Sequence, residues 1–529
     1  MPFFKKKKKN QNYPRQSPIS VDDYMSGAKY GPLHLNLDQN LQFIQSSFGG
    51  SIDLITRRIK ITSPKEMEIG LVYIEGIADS AAIQEFVIQS LLEDKEQTSV
   101  PPLKSDDSPI KKMAETIMTI GDVSFVKDFD ELFNFILSGE TALLLENSNE
   151  AIIAKTRGIV GRSVGEPLTQ NVVRGPQEGF VEQIRMNTSL IRRRIRNPHL
   201  RLESKQIGRI TKTDVSIMYI EGIANPKVVN EVRERLGSID IDAILESAYI
   251  EELIQDSTFS PFPTIFNTER PDVASAGILE GRVAILVDGT PFVLLAPVLF
   301  TQFMQSAEDY YQRSDLGLIR MLRYITFVLA LLSPSIFIAV TTFHQELIPT
   351  SLAITLTVQR EGVPFPAFFE ALLMEFTFEI LREAGLRMPK AVGTAISIVG
   401  ALVIGQAAVE AGLATAAMVI VVAITAISSF VLPAYNLAIS VRGLRFGFMI
   451  LAATFGLFGI AVGLFILVLH LCSLRSFGIP YLAPIAPYNN TDQQDAIFHF
   501  PLKWRTTRPR LISQLNKTKQ QPKASKQTN

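Results

Sequence analysis

Tyr73-Ile74-Glu75-Gly76-Ile77-Ala78-Asp79 returns further along the chain as Tyr219-Ile220-Glu221-Gly222-Ile223-Ala224-Asn225, with six of the seven positions identical. A second pair follows at nearly the same spacing, Gly139-Glu140-Thr141-Ala142-Leu143-Leu144-Leu145 against Gly281-Arg282-Val283-Ala284-Ile285-Leu286-Val287. Two matches in the same order imply two related units, 42–156 and 191–310, joined by a connector over 157–190. Each unit opens on an apolar, β-rich run ending at Ile74 or Ile220 and breaks at a glycine, Gly76 or Gly222, where a residue without Cβ lets the backbone turn. A helical pattern then starts at Asp79 or at Asn225-Pro226. Asp and Asn cap helix starts, and proline in the first turn gives up no intrahelical bond. Asp288-Gly289 marks a hairpin between closing strands. The soluble half is therefore of α/β class, with a Pro/Ser/Asp-rich loop at Ser99 to Pro109 inside the first unit.

Past these units the chain changes character. Met321 to Thr341, Ala391 to Val409, Leu413 to Tyr435 and Phe448 to Leu471 are each long and apolar enough to cross a bilayer core of about 30 Å, so 311–475 reads as an α-helical, multi-pass membrane bundle of four or five spans. Pro334 is expected to kink the first span. Small residues recur at Gly393, Ser397, Ala401 and Gly405 and again at Gly459 and Gly463, a spacing that lets helices pack closely. The ends, 1–41 and 476–529, are basic and poor in apolar residues, which predicts disordered, solvated tails. Arg192-Arg193-Arg194-Ile195-Arg196 reads as a solvated helix face, or as a docking patch for lipid or an acidic partner.

One apolar stretch, Pro364 to Leu386, carries Glu370, Glu375, Glu379, Arg382 and Glu383. Ionisable groups in a membrane line water, pair with each other or lie at the interface, so this segment is either an interfacial helix or a pore-lining one. On a helical projection Glu375, Glu379 and Arg382 share a side, while Glu370 points elsewhere. Glu375 and Glu379, with Glu370 as a third, are the pore-lining candidates, and Glu379 and Arg382 have the spacing of an ion pair. If this segment crosses, Arg382, Arg387, Lys390, Arg442 and Arg445 fall on the cytoplasmic side, and a fifth crossing puts the C-terminal tail outside. With four crossings the tail is inside and those arginines are not.

The remaining chemistry is sparse. Lys+Arg and Asp+Glu both total 52 among 529 residues, so net charge gives no reason to expect nucleic acid. The single cysteine, Cys472, rules out an intramolecular disulfide or CxxC site, and the five histidines are too scattered for a local metal motif. Gly161-Arg162-Ser163-Val164-Gly165 matches GxSxG but opens into Gly165-Glu166-Pro167, without the helix a nucleophile elbow requires. No phosphate loop or dinucleotide fingerprint occurs. Neither an enzyme nor a cofactor is expected.

Ser260-Pro-Phe-Pro263, Asn267-Thr-Glu-Arg-Pro271, Leu279-Glu-Gly-Arg-Val-Ala-Ile-Leu-Val-Asp-Gly-Thr-Pro291, Arg360-Glu-Gly-Val-Pro-Phe-Pro366 and Phe378-Glu-Ile-Leu-Arg-Glu-Ala-Gly385, followed by Gly400 to Gly412 and Leu474 to Tyr481, closely resemble the A subunit of GerA-type spore germinant receptors. The resemblance runs from about Phe43 to Pro487. It implies a multi-pass protein of the bacterial spore inner membrane with its N-terminal module on the spore-core side. Implied partners are a nutrient-sensing B subunit, a lipoprotein C subunit and further copies of the chain. It also implies an oligomeric, nutrient-gated cation channel. A non-conducting scaffold relaying the signal, or an accessory paralogue without its own sensor, are the alternatives.

Overall fold

The computed structural model describes residues 20–25, 27–61, 67–88, 123–158, 165–311, 317–388, 403–490 and 492–519. The Ser99 to Pro109 loop, Gly161 to Val164, and Gly393, Ser397 and Ala401 lie outside them.

The first unit is an antiparallel sheet of β1 (Leu54–Ile61), β2 (Met67–Ile74), β3 (Val123–Val126), β4 (Thr141–Leu145) and β5 (Ala151–Ala154), in the order β1-β2-β4-β5-β3. The second holds β6 (Leu200–Ile207), β7 (Thr213–Ile220), β8 (Phe266–Thr268), β9 (Val283–Val287) and β10 (Val293–Ala296), in the order β6-β7-β9-β10-β8. Strand for strand these are the same topology. Register follows the repeat as well: Val72 pairs with Ala142 in one sheet and Met218 with Ala284 in the other. Gly76 and Gly222 both take positive φ, 90° and 83°, directly after β2 and β7. Asp79 then accepts from the amides of Ala81 and Ala82, and Asn225 from that of Lys227, with Pro226 in the first turn. Both faces of each sheet are covered. Helices α1 (Leu37–Ser47) and α2 (Phe129–Leu137) pack Leu41, Ile44 and Phe133 on one face of the first, and Ile83 packs on the other; α3 (Ile184–Arg194) and α6 (Pro271–Leu279) cover one face of the second and α4 (Pro226–Ser238) and α5 (Ser247–Ile254) the other.

The basic cluster divides: Arg196 is exposed, Arg193 and Arg194 are half-buried, and Arg192 is internal. Arg192 is 1% exposed and joins the two units: it donates to both carboxylate oxygens of Asp53 at 2.8 and 2.9 Å, to Ser51 Oγ at 3.0 Å and to the Leu200 carbonyl at 2.8 Å. Beside it, Arg201 bridges Glu221 and the Ser47 carbonyl, while Tyr30 and His199 close the seam. Burial holds His199 down at about 4, so it is neutral there at pH 7.

Between 20 and 41 and between 476 and 519 the ends depart from the solvated reading, and 1–19 and 520–529 lie outside the described residues. Tyr30, Leu33, Leu37 and Leu41 belong to the first core, which therefore starts ahead of residue 42. Phe477, Ile479, Ala483 and Ile512 complete the core of the second unit. Ser513 donates to the Ile223 carbonyl just past the repeat turn, and Arg508 to the Leu279 carbonyl at 3.0 Å. Arg505 and Arg508 of the tail are thus buried as internal partners, and Phe477, Ile479 and Ile512 are spaced to reach the core.

The helical half comprises α7 (Leu318–Thr342), α8 (Thr350–Glu361), α9 (Ala367–Arg387), α10 (Ala416–Val431) and α11 (Tyr435–Ser473), with a short helix at Gly405–Glu410. By length and composition α7 and α11 are the two described helices long and apolar enough to cross a membrane; α10 is apolar but shorter. α11 is not straight. Gly456, at φ 61° and ψ −142°, breaks it. A Cβ on Gly463 would lie 2.8 Å from both Phe448 and Leu451. Ser440 donates to the Pro261 carbonyl while His470 meets Ser260 Oγ at 2.9 Å. Thirty residues of straight helix would separate those two by about 45 Å. α11 is therefore a helical hairpin, and Phe448 to Leu471, read from hydropathy as one span, straddles its turn. No charge lies between the arms to mark the reversal, and the glycines read as a packing stripe are where it happens. Gly459 abuts the Leu451 carbonyl inside this hairpin, whereas Gly405 lies 3.6 Å from Val419 of α10.

Candidate functional site: carboxylates and arginines inside the helical bundle

α9 turns the polarity of a soluble helix inside out. Phe369, Leu373, Phe376 and Ile380 are exposed, whereas Glu370 and Glu375 have no exposed surface. An interfacial helix would present its charges outward to water; this one presents hydrocarbon outward and keeps carboxylates within, the arrangement that suits a helix packed in lipid. Glu383 and Arg387, at the end of the same helix, are exposed and pair with each other.

Three anchoring points follow along α9. Glu370 Oε1 accepts from the Thr415 amide and hydroxyl, both at 2.6 Å, and so closes the start of α10, where a helix N-terminus favours a carboxylate. Glu375 is ion-paired with Arg445, and both are buried. Arg445 also donates from Nε to the Ala330 carbonyl at 2.9 Å and from Nη2 to Ser429 Oγ at 3.1 Å. The Ala330 acceptor is available for a local reason: the residue four positions on is Pro334, which has no N–H to take it up. One guanidinium thereby gathers α7, α9, α10 and α11. The third point is Glu379, whose Oε2 accepts from Arg442 Nη1 at 2.9 Å.

The helical spacing that offers Arg382 to Glu379 is not used. Arg382 lies with its guanidinium 5.0 Å from the Phe430 ring centroid, and its Nη1 is buried without a hydrogen-bond partner among the described residues. One oxygen of each carboxylate, Glu370 Oε2, Glu375 Oε1 and Glu379 Oε1, is likewise buried and unpartnered among them. Sequence reasoning took Arg442 and Arg445 for loop charges. The available signal was their place inside a helix already begun at Tyr435, three residues apart, against acids four apart on another helix. Among the described residues no group of His, Cys, Asp and Glu is arranged to hold a metal ion.

The base of α7 is tied to the module by charge. Asp309 accepts from Arg320 and Arg323 at 3.0 and 2.9 Å, and Asp495 of the C-terminal segment from Arg320 and Arg505 at 3.0 and 2.7 Å. Where α10 passes into α11, Phe430 to Ala434 line a cavity of about 320 Å³ shared with Phe266, Gln302 and Arg323.

A model of the Bacillus/Clostridium GerA spore germination protein family matches residues 42–511. The chain belongs to the GerA family. This GerA chain is similar to spore germination protein KA of Bacillus subtilis (strain 168), 47% identical over 486 residues that make up 92% of this chain and 88% of the relative. It is also similar to the uncharacterized membrane protein YfkQ of the same organism, 44% identical over 490 residues, 92% of this chain and 93% of that one. The crystal structure of the N-terminal domain of the A subunit of the Bacillus megaterium spore germinant receptor GerK3 is 43% identical and covers 51% of this chain and 97% of its own, with a TM-score of 0.40. The matched GerA region takes in both sheets, the bundle with its arginine network, and the C-terminal segment as far as Leu511.

Proposed function

We propose that this chain is the A subunit of a nutrient germinant receptor in the spore inner membrane. It works with a B subunit that senses nutrient and a lipoprotein C subunit, and it oligomerises into a nutrient-gated cation channel that starts germination. The observation that carries this reading is α9: a helix with hydrocarbon outside and carboxylates inside, anchored beneath a soluble module in a GerA chain. Repetition around a symmetry axis turns one carboxylate per subunit into a ring that attracts cations. Glu375 is the first candidate for that ring, then Glu379 and Glu370.

The contacts of the bundle also give its passage a direction. Arg320, Phe430, Ser440 and His470 lie next to the module, whereas Gly456 lies against Phe343 and His344 at the other end of α7. Glu370 sits at the far end with Thr415, and Arg382 at the near end with Phe430. Among the described residues we read α7, α9, α10 and the two arms of α11 as passes.

A second reading, a non-conducting scaffold that relays the signal, is favoured by the partner each of the three carboxylates has within its own chain. Glu375→Gln separates the two. A channel lined by Glu375 releases cations more slowly on nutrient addition at normal receptor abundance; release at the parental rate with normal abundance removes Glu375 from the conducting path.

A further inference from the structure

The two ion pairs that hold α9 against α11 are not equivalent. At Glu375 the arginine is fully engaged, with Nε, Nη1 and Nη2 of Arg445 each donating to a different helix. At Glu379 a single hydrogen bond joins the pair; Glu379 Oε1 and Arg442 Nε are both buried and unpartnered among the described residues. A second guanidinium is within reach of the same carboxylate. Arg382 stands three residues along α9 from Glu379, the separation at which helix side chains meet, and its Nη1 is unpartnered too. Two acids therefore face three arginines, and Glu379 can exchange Arg442 for Arg382 without becoming an uncompensated buried charge, the state that makes breaking a buried pair costly.

We propose that Arg382 and Arg442 compete for Glu379, and that the two pairings are the resting and activated states of a latch between α9 and α11. The proposal rests on the receptor reading above and names how that receptor is held off. With Arg442 as partner, the bond runs between helices and pins the module-side end of α9 to α11. With Arg382 as partner, the bond lies within α9 and that end is released, while Glu375–Arg445 remains as the pivot. A two-position element of this kind amplifies a small displacement. The displacement has a route from the module. Arg382 rests on the ring of Phe430, and Phe430 lines the cavity shared with Phe266 and Gln302 of the second α/β unit, so a shift of that unit against the turn at 430–434 moves the surface on which Arg382 is seated.

The test is a pair of substitutions with opposite expected signs, made in the full chain and read in spores. Arg442→Gln removes the resting partner, so germination without nutrient should rise by about tenfold, a shift within the usual range of coupling energies. Arg382→Gln removes the activated partner, so the response to nutrient should slow by about the same factor. A merely structural role would lower both responses together through loss of assembled protein, so each rate is divided by receptor abundance measured in spore membranes. Should a glutamine variant fail to accumulate, Arg442→Lys and Arg382→Lys keep the charge while weakening the directional bond, and the same opposed signs are expected. Shifts in the same direction, or no shift at parental abundance, overturn the latch. Cation flux through the unaltered chain in proteoliposomes is scored separately. Its absence there would remove the channel reading, while the opposed germination phenotypes would still establish the latch.

Discussion

Arg192→Met tests whether the two α/β units are locked as one body. Methionine keeps the length of the side chain and removes every donor, so Asp53, 7% exposed, keeps its charge in a site where its two bonds from Arg192 are gone. Ser51 Oγ and the Leu200 carbonyl each lose a donor at the same time, while Ser51 keeps its bonds to Asp53 and the Leu202 amide. Stranding one member of a buried pair costs about 3–5 kcal/mol. Arg192→Met/Asp53→Asn removes the stranded charge and leaves mainly lost hydrogen bonds, so the expected loss falls to about 1–2 kcal/mol. Urea titration of the detergent-solubilised full chain, read by pulse proteolysis of the module, gives both values and their coupling. A single variant that loses under about 1 kcal/mol, as exposed pairs do, would refute the inter-unit clasp. So would a double variant no milder than the single one.

His199 binds a proton in the unfolded chain below about 6.5 but in the fold only below about 4, so its contribution to stability is lost as pH falls through that window, by up to about 1.4 kcal/mol per pH unit. Glu251, pushed up to about 7 by burial, has the opposite slope; the check is therefore the difference between the parent and His199→Gln, whose stability should fall less on acidification. Gly456→Ala forces a Cβ to within 2.8 Å of the His344 ring and 3.1 Å of Phe343 at φ 61°, ψ −142°, at a cost of about 1–3 kcal/mol or more, so membrane-inserted chain measured by immunoblot should drop. Deleting the chain from Arg475 onward removes Phe477, Ile479 and Ile512 from the second core, so proteolysis should open the second unit while leaving the first intact; equal protection of both would refute this dependence.

The sheets were legible because their signals are local. A repeated heptad, a glycine that must turn and an Asp or Asn that caps are all set within a few residues, and Gly76, Asp79, Gly222 and Asn225 do what their types dictate. The bundle was legible only in part. Hydropathy registers the absence of charge, so it ran through Gly456 and counted two helical arms as one span. Partnership was harder still. Nothing local to Glu375 points to Arg445, and nothing local to Arg445 points to the carbonyl that Pro334 leaves open on a third helix. The C-terminal segment failed for the same reason, since Ile512 looks like an isolated apolar residue in polar sequence until the sheet it covers is in place.

That placement of Ile512 bears on how the protein is made. The first α/β unit holds all of its core residues early in the chain and can fold while translation continues, as N-terminal domains do. The second unit completes its core later, because Phe477, Ile479, Ala483 and Ile512 are synthesised only after every described helix of the bundle. Its five strands are all made before the bundle, and its last core residues follow the last helical arm. Its completion thus reports that the chain has been made at least as far as Ile512.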